Sequence, residues 1–193
     1  MFALTQQLHD TNEYKFKWAT TIKSILDDCG HSFLWDFNSD VNSEWIKSSI
    51  QQRLRDIDLQ SWQCEVDNNS LCLNYKVFKS SLNMEKYLLK LNPIDRISLS
   101  KFRCSSHRLP VIAGRYLQEN MSRFCNLCEL NVVGDEYHYL LVCPTFAAER
   151  RSFIKQYYRN NPSMLKMSQL MNTTNVKIMA DIAKFCQIIM SKF

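Results

Sequence analysis

Glycine and proline are scarce in this sequence, with 3 Gly and 4 Pro among 193 residues. Because β-sandwiches and barrels need many turns, and turns favour these two residues, the shortage argues against an all-β fold. Long apolar runs are also missing, and none approaches the roughly 20 residues that span a membrane. The first residues lack the charged and apolar segments of a signal peptide. We therefore expect an intracellular protein, nuclear or cytoplasmic, with no membrane partner.

Acidic residues are scarce in the second half of the chain. Residues 1–100 contain 11 Lys and Arg against 13 Asp and Glu, whereas residues 101–193 contain 13 Lys and Arg against 6 Asp and Glu. We predict a helical, linker-like region over 1–100 and a basic region with C-terminal helices over 101–193, although the two can form one domain. The basic half favours a polyanionic partner, while an ordinary solvated face has the same composition.

Hydrophobic residues make up 46% of the chain and recur at helical spacing, which predicts a mainly α fold with an ordered core. Ser43 is a predicted N-cap. Residues 71–79 alternate only partly, and their pattern does not decide between a short strand and a helical turn. A short strand or hairpin is therefore compatible with the helical domain. The predicted helices cover residues 15–29, 43–66, 84–90, 93–103, 145–158 and 175–190.

Four candidate metal ligands lie close together in the sequence: Cys125, Cys128, His138 and Cys143. Two thiols separated by two residues form a knuckle that chelates one ion. A His and a Cys five positions apart can supply the other two corners of a tetrahedron. Four protein ligands leave no open coordination position, so we predict a small zinc-binding loop with one structural Zn²⁺ in the region 101–193. The alternative is four buried side chains without a metal.

The other cysteines show no complete ligand pattern. Cys29, Cys72 and Cys186 fall on apolar faces, which predicts core positions. Cys104 and His107 form a C-x2-H pair with no second pair beside it, and we expect no metal there. In a reducing compartment the cysteines are expected to be thiols or metal ligands rather than disulfides.

Two stretches carry a family resemblance: RISLSKFRCSSHRLPVIAGRY at residues 96–116 and RFCNLCELNVVGDEYHYLLVCPTFAAERR at residues 123–151. They resemble the region downstream of the polymerase in non-LTR retrotransposon reverse transcriptases of animals. That family has a basic FR…H-L-P…GR segment, then C-x2-C, then a stretch with D-E, His, C-P-x-F and Arg. Residues 53–78 are similar to the helical linker before it, so the resemblance covers roughly residues 45–190.

The resemblance implies a module that grips template RNA or target DNA during target-primed reverse transcription. The catalytic palm and the endonuclease of such an element lie in other parts of it. Since no catalytic set is recognisable in this sequence, we expect the chain not to be an enzyme. The alternative is a structural or protein-interaction remnant that folds around zinc and has no nucleic-acid role.

Basic residues near the zinc loop are the candidate phosphate contacts. Residues 101–123 carry five Lys and Arg against one acid, around a predicted loop with Pro110 and Gly114. For Arg108 or Arg115 the alternative is an ion pair with Asp135 or Glu136 that holds the zinc loop. The candidate nucleic-acid contacts are Lys101, Arg103, His107, Arg108, Arg115, Arg123, Arg150 and Arg151.

Aromatic residues beside the predicted zinc loop are candidates to stack on nucleic-acid bases, as in many single-strand-binding proteins. Tyr116, Phe124 and Tyr137 belong to this group. For Tyr139 and Phe146 the favoured interpretation is packing in the core that surrounds the metal.

Overall fold

A computed structural model describes residues 17–36, 42–70, 74–116 and 123–193 of the chain. Helices make up 69% of these residues and no strand occurs among them, which confirms the predicted mainly α fold. The feature closest to a hairpin is a single antiparallel bridge between Phe124 and Val133. Within the described ranges no helix combines the length and the apolar character needed to cross a membrane.

The chain divides into two compact units, Met1–Gln63 and Cys64–Phe193. The first unit contains α1 (Lys17–Asp28), α2 (Phe33–Asp36) and most of α3 (Ser43–Asn68). The predicted division into regions 1–100 and 101–193 concerns the distribution of charge and stays a prediction.

The first unit has a small core made of Ala19, Leu26 and Trp35. The predicted helices at 15–29 and 43–66 correspond to α1 and α3, although residues 15 and 16 lie outside the described ranges. The predicted N-cap of α3 was one residue late. The side chain of Asn42, not that of Ser43, accepts hydrogen bonds from the backbone N–H groups at 44 and 45, at 3.0 and 3.2 Å.

The last helix of the second unit packs against four other helical segments. Its side chains at five positions with helical spacing are buried, as the apolar stripe of the predicted helix 175–190 requires. In chain order the unit contains α4 (Tyr75–Phe78), α5 (Lys86–Lys90), α6 (Pro93–Arg103), α7 (Pro110–Tyr116), a π-helix (His138–Val142), a 3₁₀-helix (Pro144–Phe146), α8 (Ala147–Phe153), α9 (Gln156–Arg159), α10 (Met164–Met171) and α11 (Val176–Met190).

Helix α11 contacts α5, α6, α8 and the π-helix, so it joins the metal-binding loop to the rest of the unit. The Gln187 side chain donates a 2.9 Å hydrogen bond to the buried Asp95 carboxylate of α6. At the start of α11 the Asn175 side chain accepts a hydrogen bond from the backbone N–H of Ile178 and so caps the first turn. Cys186 lies in this core, as predicted, and Cys29 is buried in the first unit, whereas Cys72 lies outside the described residues.

Three local predictions were wrong or incomplete. The segment with Pro110 and Gly114 is helix α7 rather than a loop, because proline fits the first position of a helix. The predicted helix 145–158 is interrupted at Ile154, whose backbone is extended between α8 and α9. Helix α10 was not predicted. The undecided segment 71–79 contains the helical turn Tyr75–Phe78, and residues 71–73 lie outside the described ranges.

Candidate metal centre

A tight turn of the backbone brings the first two candidate ligands together. The N–H of Cys125 donates to the carbonyl of Val132 at 2.8 Å, and the N–H of Gly134 donates to the carbonyl of Arg123 at 2.9 Å. Within the turn the Leu127 N–H donates to Cys125 Sγ at 3.4 Å, which orients the sulfur. The C-x2-C spacing thus produces the chelating knuckle that the sequence predicts.

Gly134 closes this turn at a place where a side chain does not fit. A Cβ atom there would lie 2.8 Å from the Tyr139 hydroxyl and 3.1 Å from Cγ of Pro110. The N–H of Val111 donates to the Gly134 carbonyl at 3.2 Å, so helix α7 packs directly against the turn. Because glycine has no side chain, it lets the turn, the segment with Tyr139 and the start of helix α7 approach one another closely.

The π-helix brings the other two candidate ligands to the same side. On an α-helix two residues five positions apart point about 140° away from each other. Here the Cys143 N–H donates to the His138 carbonyl at 2.7 Å, an i to i+5 bond that widens the turn. The wider turn lets His138 and Cys143 approach the same point, which the H-x4-C spacing alone does not reveal.

The four ligand atoms form a compact cluster, all within 4.8 Å of one another, and the group can hold a metal ion. Sγ of Cys125 and Sγ of Cys143 are 3.9 Å apart, and Sγ of Cys128 lies 3.5 Å from Nε2 of His138. A tetrahedral Zn²⁺ with ordinary bond lengths requires edges of about 3.8 Å between sulfurs and about 3.6 Å between sulfur and nitrogen. The sulfur pair is far beyond the ~2.05 Å of a disulfide.

The protonation of the cluster also suits a cation. Burial lowers the pKa of His138, and the nearby Arg150 lowers it further, so the imidazole is neutral and its nitrogen is available to a metal. Burial raises the pKa of Cys143 to about 11, and the adjacent sulfurs of Cys125 and Cys128 contribute to the shift. A metal-bound cluster would contain three thiolates, and a divalent cation between them would offset their mutual repulsion.

Arg150 supports the cluster from inside the protein. Its Nε donates to the Leu140 carbonyl at 2.8 Å, and its Nη2 donates to the carbonyls of Tyr139 and Cys143 at 3.0 and 2.8 Å. The carbonyls at the end of a helix have no partner within the helix, so this buried side chain provides one. The three bonds hold the segment that carries His138 and Cys143.

A buried carboxylate supports the other side of the same segment. Glu136 accepts hydrogen bonds from Asn74 Nδ2 at 2.6 Å and from Ser105 Oγ at 2.5 Å. His107 Nε2 lies 2.8 Å from the same carboxylate, and His107 Nδ1 accepts from the Leu109 N–H at 3.3 Å. Because Nδ1 accepts, Nε2–H is the atom that donates to Glu136.

We expect Glu136→Gln to lower the free energy of unfolding by about 1–3 kcal/mol at neutral pH. Glutamine replaces one accepting oxygen by an NH₂ group, which then faces a hydrogen-bond donor. Urea unfolding measures the loss, and the exposed Glu129→Gln is the matched control, expected within about 0.5 kcal/mol of the natural chain. Equal stability of the two variants would contradict the role of Glu136.

The same variant has a predictable pH dependence. Burial raises the pKa of Glu136, but the hydrogen bond and the electrostatic attraction from His107, together with the hydrogen bond from Ser105, outweigh it and leave the pKa below its ordinary value. A carboxylate with a lowered pKa stabilises the fold above its unfolded pKa of about 4.3, and this contribution disappears as the pH falls through the folded pKa. The difference between the natural chain and the variant should therefore shrink below about pH 4.

The structure separates the predicted nucleic-acid contacts into buried and accessible groups. Arg103 and Arg150 are buried, and so is the His107 side chain, which is only 1% exposed. Arg103 lies between the rings of Phe78 and Tyr87, 4.6 and 5.2 Å from their centres, and pairs with Glu85 at 3.1 Å. These three side chains have structural partners. The accessible candidates are Lys101, Arg108, Arg123 and Arg151, with Arg115 partly exposed.

The alternative roles suggested for arginines and aromatic residues are also resolved in part. Nη1 of Arg115 donates to the Ser70 carbonyl, while Asp135 accepts from the His138 N–H at 2.8 Å, so these two side chains have other partners than each other. Tyr139 and Phe146 are buried in the core around the cluster, as favoured, and Phe124 is 46% exposed. The side chain of Tyr116 lies outside the described part of the chain.

Cys104 and His107 do not belong to the candidate metal group found in the described residues. His107 is hydrogen-bonded to Glu136 and Leu109, and the candidate metal group identified in the described ranges is the one at Cys125, Cys128, His138 and Cys143.

Comparisons with models of protein families, with curated proteins and with solved structures found no match. The site is therefore interpreted from its own geometry.

Proposed function

We propose that this chain is a zinc-stabilised nucleic-acid-binding module that does not catalyse a reaction by itself. The single observation that carries the proposal is the closed cluster of three cysteines and one histidine, set in a basic unit of the chain. A closed set of protein ligands stabilises a fold and leaves no position for substrate or water. The function of such a module then lies in its surface.

Zinc is the metal that the cluster fits best. Thiolate and imidazole donors in tetrahedral arrangement are characteristic of Zn²⁺, whereas Mg²⁺ and Ca²⁺ require six or more oxygen donors. Cys125, Cys128 and Cys143 would bind through Sγ, and His138 through Nε2. Thiolate ligands of this kind persist in a reducing compartment, which supports an intracellular location.

The charge of the second unit supports a nucleic-acid partner. Between residues 101 and 193 basic residues outnumber acidic ones by more than two to one, and the buried Glu136 is already engaged by its own partners. The cations that remain at the surface give the unit a positive field, which attracts polyanions. The exposed or partly exposed cations of the described part include Lys101, Arg108, Arg123, Arg151, Lys155, Arg159, Lys177 and Lys184.

The resemblance to reverse transcriptases of non-LTR retrotransposons supports the proposal. The residues that carry it include all four candidate ligands and Arg150, whose guanidinium caps the π-helix. We propose that the chain derives from, or belongs to, such a reverse transcriptase. The competing function is a structural or protein-interaction remnant. Such a remnant would keep the metal cluster and the three hydrogen bonds of Arg150 but would not bind nucleic acid.

We expect the zinc-loaded chain to bind a 20-nucleotide RNA of mixed sequence with an affinity that falls about 10- to 100-fold between 50 and 200 mM salt. The reason is that each neutralised phosphate releases counterions. Fluorescence anisotropy of the labelled RNA, repeated with duplex DNA, measures the slope of log affinity against log salt. The chelator-treated chain is the control. Absence of binding at 50 mM salt by the folded, zinc-loaded chain would favour the remnant.

A further inference from the structure

The second unit has a basic cleft that involves none of the four candidate ligands. It has a volume of about 440 Å³ and lies between α8–α9 and the first turns of α11. Four cationic side chains line it against one carboxylate, that of Asp181. The cations are Arg151, Lys155, Arg159 and Lys177, and "the basic cleft" denotes the cavity that they line.

The cations of the basic cleft form no ion pair with any residue that the structure describes. In the described part of the chain the ion pairs involve Lys79, Arg103 and His107, and none of the four cations of the cleft takes part in one. Nε of Arg151 and Nε of Arg159 donate to backbone carbonyls at 3.2 and 2.9 Å. Those bonds anchor the two guanidinium groups without cancelling their charge.

The cleft continues towards the metal-binding segment. A neighbouring cavity of about 280 Å³ shares Arg151 and Arg159 with it and is also lined by Leu141 of the π-helix. The second cavity is also lined by Arg150, so three arginines face it. An anion that enters this groove is attracted by the cations of both cavities.

We propose that the basic cleft binds the phosphodiester backbone of a single nucleic-acid strand through Arg151, Lys155, Arg159 and Lys177. A concave groove admits one strand, whereas a duplex presents its phosphates on a convex surface. The partly buried Phe153 and Ile178 give the cleft an apolar side against which a sugar or base can pack. The inference rests on the proposed function and locates its binding face away from residues 101–123.

The test compares two triple variants with the same loss of charge. The cleft variant carries Arg151→Gln, Lys155→Gln and Lys177→Gln, and the control carries Lys76→Gln, Lys86→Gln and Lys90→Gln, all at exposed positions of the same unit. A labelled 12-nucleotide single strand is titrated at several salt concentrations. The cleft variant should bind at least about 10-fold more weakly, with a salt slope flatter by about 2, since each lost contact to a single strand removes about 0.7. The control should change affinity less than about 3-fold.

The outcomes distinguish the cleft assignment from the proposed function on which it rests. If the control loses affinity and the cleft variant does not, the cleft assignment is overturned while the proposed function stands. If the natural chain binds no strand at all, both are overturned. Should the triple variant unfold, Lys177→Glu replaces it, because this side chain is exposed in the first turn of α11. Unchanged affinity of Lys177→Glu would then overturn the cleft assignment.

Discussion

Cys128→Ser is expected to abolish stoichiometric zinc binding and to unfold the segment between residues 123 and 146. Its Sγ lies 3.5 Å from Nε2 of His138, so its loss removes one corner of the tetrahedron. A hydroxyl is a poor ligand for Zn²⁺, and binding is coupled to folding with a free energy on the order of 10 kcal/mol at a structural site. Hydrogen exchange of backbone amides, compared with the zinc content of the same sample, measures both effects.

Cys64→Ser is the matched control for this experiment. Cys64 is exposed and lies on α3, and the variant has the same number of thiols as Cys128→Ser. It should keep one zinc per chain and the protection of residues 123–146. If Cys128→Ser retained both the metal and the protection, Cys128 would not be a ligand and the site would have to be reassigned.

Arg150→Gln is expected to reduce the free energy of unfolding by about 3–5 kcal/mol, the second largest effect. The buried guanidinium donates three hydrogen bonds to carbonyls at 139, 140 and 143, and a glutamine side chain is too short to reach all of them. Each buried carbonyl left without a donor costs about 1–3 kcal/mol. Denaturant unfolding of the zinc-loaded chain measures the change.

The neighbouring Arg151 provides a control for charge. Arg151→Gln removes the same charge from an exposed position, and we expect a change in stability within about 0.5 kcal/mol. Adjacent arginines thus have opposite roles, one in the stability of the metal segment and one in the proposed cleft. Equal losses of stability in the two variants would show that the three hydrogen bonds of Arg150 do not stabilise the fold.

The candidate ligands were accessible from the sequence because ligand spacing is a local property. C-x2-C followed by His and Cys within a short stretch already specifies which side chains meet. The π-turn that lets His138 and Cys143 converge was not predictable, because residues five apart on an α-helix diverge. Only the i to i+5 bond in the structure accounts for their convergence.

Three of the predicted nucleic-acid contacts have buried side chains, which the sequence did not indicate. Arg103, His107 and Arg150 were grouped with exposed cations, since a partner of Arg103 lies 68 residues away and a partner of His107 lies 29 residues away. Arg103 donates to the Met171 carbonyl, and His107 donates to Glu136. A charged side chain is usually at the surface, and nothing local distinguishes these exceptions. For a basic residue close to a predicted zinc ligand, a buried structural role is therefore as plausible from sequence as a contact to nucleic acid.

The helical elements were predicted where their periodicity is strong and missed where they are short. Helix α11 has a long apolar stripe and α6 begins at Pro93, and both agree closely with prediction. No glycine or proline marks the break at Ile154 between α8 and α9. The side chain of Ile154 is buried in the core. There tertiary packing decides the backbone conformation against the local helical pattern.

The metal content of the folded chain tests the central claim most directly. The chain is purified without added metal, dialysed, and analysed by native mass spectrometry and elemental analysis, and its melting temperature is measured with and without a chelator. We predict one zinc per chain and a marked fall in melting temperature on chelation, because the cluster folds only around its ion. A folded, metal-free chain whose melting temperature does not respond to the chelator would contradict the account.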